Sequence, residues 1–258
     1  MLMAIDVGNT NMVFGLLDGE TLTGSFRLVT DARKTVDEIG LTVCDYFRHF
    51  ALPTEQVEGI IISSVVPQVM HNLTCAMEKY FGQKPLVIDR DVDPGLAYEG
   101  EERLGADRAV SCIAAMKKYG TPLVVLDFGT ATTVDAVDRD GNYLGGSILA
   151  GVRVATEALA QQAAMLPQID LIRPKTVLGR TAVSQIQAGS VVGYIGAMEY
   201  LVRQTKAEMD CGDAIQVVAT GGLAQLVADN TEEINKVDDT LILDGLRIIY
   251  DRYHKEGK

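Results

Sequence analysis

Four short clusters carry the residue types that chemistry on a phosphate requires. Asp6-Val7-Gly8-Asn9-Thr10-Asn11 sets a carboxylate after an apolar run, then a glycine that admits a tight turn, then two amides and a hydroxyl. Such a turn offers donors to phosphate oxygens, and its carboxylate can hold Mg2+ through water. Taken alone it reads first as an Asx turn in a hairpin; its repetition is what favours the phosphate reading. Asp127-Phe128-Gly129-Thr130-Ala131-Thr132-Thr133 repeats the arrangement 121 residues after Asp6, with three hydroxyls behind the glycine. In Ala219-Thr220-Gly221-Gly222-Leu223-Ala224, Gly221 and Gly222 permit close backbone approach, and the helix that follows favours an anion at its N-terminus. Finally, Leu104-Gly105-Ala106-Asp107-Arg108 opens a helix between the two Asp-Gly turns. Asp107 can take a proton from a hydroxyl and Arg108 can pair with a carboxylate or phosphate, although a capping Asp beside a solvated Arg has the same sequence.

The elements that must position these clusters repeat as well. Apolar strands at Leu2–Ile5 and Met12–Leu17 flank the first turn, and strands at Leu123–Leu126 and Val134–Val137 flank the second. Each pair runs on through Asp18-Gly19-Glu20 or Asp140-Gly141-Asn142 into a third strand, which makes an antiparallel meander. Helical periodicity follows over 35–50, 69–81 and 108–119, then over 153–165, 182–209, 223–228 and 244–254. Strands at 59–66, 85–88 and 214–220 are interspersed. The reading is α/β: two duplicated domains, 1–117 and 118–258, facing each other across a cleft, with the last helix packing back on the N-terminal half.

Composition removes other classes. The 258 residues hold 47% apolar and 22% charged side chains, as ordinary globular proteins do. Twenty-three basic residues against 35 acidic give a net charge of −12, with Lys and Arg scattered, so no nucleic-acid or anionic-membrane partner is expected. The four cysteines and three histidines show no metal-ligand spacing, which argues against zinc. No apolar run approaches the length of a membrane span, and a reducing cytoplasm is the expected setting. Cys112, on the helix after Asp107, reads as packing rather than as a nucleophile.

The clusters, taken with Ser63-Ser64-Val65-Val66-Pro67 and with Leu246-Arg247-Ile248-Ile249-Tyr250 near the end, resemble the type III pantothenate kinase family along nearly the whole chain. The resemblance implies the fold of acetate and sugar kinases, Hsc70 and actin, with two RNase H-like (actin-like ATPase) domains and helices on both faces of mixed sheets. It implies ATP-dependent phosphorylation of pantothenate to 4'-phosphopantothenate, the first step of coenzyme A biosynthesis, by a homodimer requiring Mg2+ and a monovalent cation, K+ or NH4+. By matching position, Asp107 is the base. Tyr98, Gly105, Ala106, Arg108, Thr181 and Ala182 meet pantothenate. Asp6, Val7, Gly8, Asn9, Thr10, Asn11, Gly129, Thr130, Thr132, Gly221 and Gly222 meet ATP. Asp127 holds the monovalent cation, and Asp6 holds Mg2+ through water.

Four positions depart from the family pattern. Glu101 and Ala150 stand where relatives place Pro, Gln168 stands where they place Arg, and Ala182 stands where they place the Thr that touches pantothenate, Thr181 lying one residue early. These changes gather around the acceptor side and leave the phosphate motifs intact. They leave room for a kinase of another small hydroxy acid, or for a diverged regulatory paralogue that binds nucleotide or a pantothenate-like ligand.

Overall fold

A computed structural model describes residues 1–98, 100, 104–211 and 214–255. Glu101, one of the departures above, and the acidic loop Glu99-Gly100-Glu101-Glu102 lie outside these residues, Gly100 excepted. The chain divides into two compact units. One comprises Met1–Leu96, Gly100–Lys117 and Thr240–Lys258; the other comprises Ala97–Glu99 and Lys118–Asp239.

The first unit is built on a meander, β1 (Leu2–Val7), β2 (Asn11–Asp18) and β3 (Thr21–Val29). The parallel strands β4 (Gly59–Ser64) and β5 (Leu86–Val87) extend it to a mixed sheet in the order β3-β2-β1-β4-β5. Met3, Ile5 and Val7 point to one face by strand alternation and are fully buried beneath two helices, α1 (Val36–His49) and α2 (Pro67–Phe81). Thr35 caps α1 in a reciprocal box with Glu38, and Ile39, Val43 and Phe47 recur at helical spacing on its buried side. The strand expected to reach Val66 stops at Ser64, and α2 starts two residues before the periodicity suggested. Pro67 is its first residue, where the missing N–H has no helical partner to lose. The opposite face of the sheet carries Leu2, Ala4 and Ile61. It packs on Ala106, Val110 and Ile113 of α3 (Ala106–Tyr119), and on Leu243, Leu246 and Ile249 of the C-terminal helix.

In the second unit β7 (Leu123–Phe128), β8 (Ala131–Val137) and β9 (Asn142–Ala150) form the same meander, and β10 (Gln216–Gly221) lies parallel to β7 as β4 does to β1. The likeness extends to an irregularity. Register slips between Leu16 and Leu17 in the first meander and between Ala136 and Val137 in the second, with Gly24 and Gly145 paired just before each slip. Two strands of two residues each, β6 (Ala97–Tyr98) and β11 (Lys236–Val237), complete the order β11-β10-β7-β8-β9-β6. Neither shows in the sequence, since two residues have no period. Val124, Leu126, Phe128, Val134 and Ala136 face a core completed by Ile195, Met198 and Val202 of α6 (Gly193–Met209). The helix expected over 182–209 is α5 (Ala182–Gln187), a π segment over Ala188–Val192, and then α6. Before it, α4 (Val152–Gln162) ends three residues earlier than expected, and residues 163–181 form no helix or strand. A short helix, α7 (Ala224–Ala228), follows β10, and α8 (Leu241–Lys255) is the C-terminal helix of the first unit.

Candidate active site

In the first unit β1 delivers Asp6 one residue before its end, half-buried between neighbours that are fully buried. The turn beyond is closed by Gly8 N–H donating to the Asn11 carbonyl at 3.0 Å. The start of the next segment fastens it from behind. Thr30 donates its N–H to the Thr10 carbonyl at 3.0 Å and its hydroxyl to the Gly8 carbonyl at 2.7 Å. Val7 is core and contributes backbone only, while the side chains of Asn9, Thr10 and Asn11 are exposed. The parallel register sets Ser63 beside Asp6 on the same face. The Ser63 hydroxyl is fully buried and makes no hydrogen bond. A buried orphan next to a carboxylate is what an ordered water or a hydrated ion would complete.

Asp107 stands in the first turn of α3, the helix whose Ala106 is buried against the same sheet face. Its Oδ1 accepts the Arg108 N–H at 2.8 Å, so the carboxylate folds back over the helix start. Gly105 makes that possible, because an added Cβ there would lie 2.7 Å from Asp107 Oδ1. Asp107 and Arg108 are both half-buried.

The second unit repeats the turn with one residue fewer between the paired strand ends. Val7 pairs with Met12, whereas Phe128 pairs with Thr132. Gly129 N–H donates to the Ala131 carbonyl at 3.1 Å, and Gly151 N–H holds the Thr130 carbonyl at 2.9 Å. Gly129 and Thr130 are exposed. Gly221 closes in on the carboxylate of this turn: at φ +91° a Cβ would stand 2.7 Å from Asp127 Oδ1 and from the backbone of Phe128. Gly222 is open on its Cβ side.

Register places the three hydroxyls after Gly129 in different surroundings. Phe128 pairs with Thr132 and Asp127 with Thr133, so Thr132 lies on the face opposite Asp127. Thr132 is fully buried and its hydroxyl bonds the phenol of Tyr194 on α6, whose ring meets Phe128 edge-on. Burial pushes the Tyr194 phenol up, Thr132 opposes this, and the charge of Asp127 adds to it. Thr133, the register partner of Asp127, shares the carboxylate's face. Sequence reasoning passed over Thr133; the signal was the alternation itself, counted from Asp127 through the turn.

Of the residues that the resemblance assigns to pantothenate, Tyr98 is half-exposed on β6, its ring edge-on to Tyr143 at 5.1 Å. Thr181 is the N-cap of α5, its hydroxyl accepting the Ser184 N–H at 3.2 Å, and Ala182 is the exposed first helical residue. Ala150 ends β9, and Gln168 is exposed in the 163–181 segment. Cys112 is fully buried, as packing requires. Among the described residues no three His, Cys, Asp or Glu side chains converge on one point, so a divalent ion would rest on single carboxylates, water and ligand oxygens. No helix among them is long and apolar enough to cross a membrane.

Known proteins agree with this architecture. The family model for type III pantothenate kinase matches residues 2–204. The type III pantothenate kinase of Geobacter sulfurreducens is 44% identical over 254 residues, 98% of this chain and 99% of that one. A Campylobacter jejuni protein assigned to the Baf family of transcriptional activators superposes with a TM-score of 0.62 at 20% identity, covering 98% of this chain and 99% of that one. An Arthrobacter polyphosphate/ATP-glucomannokinase does so at 0.52 and 13% identity, with the same coverage. The last two show the fold, that of the actin-like sugar kinases; the first two show that the chain belongs to the type III pantothenate kinase family, the enzymes that phosphorylate pantothenate with ATP at the entry to coenzyme A biosynthesis.

Proposed function

We propose that Asp107 is the general base of this phosphorylation, taking the proton from the primary hydroxyl of pantothenate as its oxygen attacks the terminal phosphorus of ATP, whose bond to the β–γ bridging oxygen breaks to release ADP. The observation that carries this is the carboxylate presented over the first turn of α3 and packed against Gly105. Arg108 beside it supplies a fixed positive charge for the substrate carboxylate, and Gly105, Ala106 and Tyr98 are further pantothenate contacts. Thr181 and Ala182 complete the acceptor side. Ala182 lacks the hydroxyl of the family position, and the neighbouring Thr181 hydroxyl accepts the Ser184 N–H as the N-cap of α5.

The two Asp-Gly turns hold the phosphates of ATP: Asp6 to Asn11 in the first unit, and Gly129 and Thr130 with Gly221 and Gly222 in the second. Thr132 supports the second turn from beneath. The residues present fit a metal bound mainly by water and phosphate, given single carboxylates and the orphaned Ser63 hydroxyl. Asp6 would hold Mg2+ through water and Asp127 a monovalent cation, and both ions would neutralise phosphate charge. The chain's own part is to orient the acceptor hydroxyl, remove its proton and fix the phosphates.

A homodimer is supported by the apolar side chains that the second unit leaves exposed, among them Ile148 on β9 and Met165 and Leu178 in the 163–181 segment, at 63%, 94% and 88%. Four free cysteines support a cytoplasmic setting. The test is Asp107→Asn. Turnover should fall by roughly 100-fold or more while pantothenate affinity, measured by calorimetry, changes by less than about 3-fold. Unchanged turnover removes Asp107 from the mechanism.

A further inference from the structure

Behind the Asp127 turn lies a carboxylate that no step above uses. Asp135 is 1% exposed, in the middle of β8. Burying a charge is costly unless it is hydrogen-bonded, and here both oxygens are. Oδ2 accepts the Thr133 hydroxyl at 2.9 Å, and Oδ1 accepts the Tyr143 phenol at 2.8 Å. The partners lead in two directions. Thr133 stands directly across the β7–β8 pair from Asp127. Tyr143, itself buried, carries the edge-on ring of Tyr98, and the two tyrosines are register partners between β9 and β6.

We infer that Asp135 is a positioning residue that sets the cation subsite and the acceptor wall together. The inference rests on the roles given above to Asp127 and Tyr98. Thr133 gives its one hydroxyl proton to Asp135, so its oxygen faces the surroundings with lone pairs only. Such an oxygen suits a cation beside Asp127 and cannot donate to a phosphate. On the other side, the hydrogen bond to Asp135 fixes the tilt of Tyr143 and so the ring against which Tyr98 rests. A single buried carboxylate thereby fixes both surfaces.

The fold itself supplies a control. At the corresponding places of the first meander, counted from the shared register slip, stand Val13 for Thr133, Gly15 for Asp135 and Leu22 for Tyr143. The same strands, bulge and buried pattern form there without a polar group, so the sheet does not require this network.

Three variants of the full chain separate the two arms. Tyr143→Phe should raise both the KM and the calorimetric Kd for pantothenate by about 5-fold or more, leaving the KM for ATP and the K+ requirement as they are. Thr133→Val should raise the K+ concentration for half-maximal turnover and diminish the thermal stabilisation that K+ alone confers, with pantothenate Kd unchanged; Thr133→Ser, which keeps the hydroxyl, should restore both. Asp135→Asn should show both defects at once. The inference is overturned if a folded Asp135→Asn protein keeps its pantothenate Kd and K+ response, or if Tyr143→Phe moves the K+ response instead of pantothenate binding. A parent protein that is folded yet neither binds nor phosphorylates pantothenate would sink the functional reading, and this inference with it. Normal parent activity with normal variants would sink the inference alone.

Discussion

The two meanders share strand order, bulge and a carboxylate one residue before the end of the first strand, yet they differ in what surrounds that carboxylate. Beside Asp6 the neighbouring hairpin strand is apolar, and Gly15 leaves room for Leu243 of α8, whose Cδ1 would lie 2.7 Å from any added Cβ. Beside Asp127 the equivalent positions are Thr133 and Asp135, hydrogen-bonded in the interior. The parallel neighbour differs too: Ser64 follows the residue paired with Asp6, and Gly221 follows the residue paired with Asp127. Ser64 turns its hydroxyl to the Val66 N–H at 3.1 Å and leads into α2, whereas Gly221 presses against the Asp127 carboxylate. One backbone plan thus sets an apolar hairpin strand beside its carboxylate in one unit, and a hydrogen-bonded Thr–Asp pair with a close-pressing glycine in the other. Features common to both present each carboxylate, and features found in one set what surrounds it.

That division is testable, and the largest effects are expected at the paired carboxylates. Asp6→Asn and Asp127→Asn should each reduce turnover by about 100-fold, a loss of about 2.7 kcal/mol of transition-state stabilisation. They should differ in which ion partly rescues them: Mg2+ titration for Asp6→Asn, K+ titration for Asp127→Asn. If both variants respond to the same ion, the units are not specialised in this way.

A smaller contrast is expected between Gly221 and Ser64. Gly221→Ala forces a side chain into the left-handed region and against Asp127, so it should cost about 1–3 kcal/mol of stability and about 10-fold in kcat/KM. Ser64→Gly loses one local hydrogen bond, and should cost less than about 1 kcal/mol in thermal or denaturant unfolding. Equal costs would mean that Gly221 is no more constrained than its counterpart.

The smallest effect concerns Thr132, whose counterpart Met12 is plain core. Thr132→Val keeps the shape and leaves the Tyr194 phenol short of a partner, at a cost of about 1 kcal/mol. The KM for ATP should stay within about 2-fold. A large rise in that KM with stability preserved would return Thr132 to direct phosphate contact.

Much of this is legible in the amino-acid sequence. The repeated Asp-x-Gly between apolar runs marked both meanders, because alternation and turn chemistry act within a few residues. The Gly105-Ala106-Asp107-Arg108 cluster marked the start of α3 for the same reason. The burial of Thr132 against Tyr194 is not legible in the three-hydroxyl cluster, because which side of the strand each hydroxyl takes depends on the β7–β8 register. The network of Asp135 was missed because its partners, Thr133 and Tyr143, acquire meaning only when β9 is paired with β8 and β6 with β9. A two-residue strand such as β6 has no pattern to announce it.

The amino-acid sequence by itself determined the repeated units, the turns and the family, since dihedral preference, glycine placement and apolar periodicity are local properties of the chain. Tertiary structure alone decided that Tyr194 buries the hydroxyl of Thr132, that Leu243 from the last helix fills the space at Gly15, and that Tyr98 leans on a tyrosine held by Asp135. Those contacts join residues between 8 and 228 positions apart or across paired strands. Each depends on which surfaces remain to be covered once the sheets have formed, a property of burial and shape that no short stretch of chain contains.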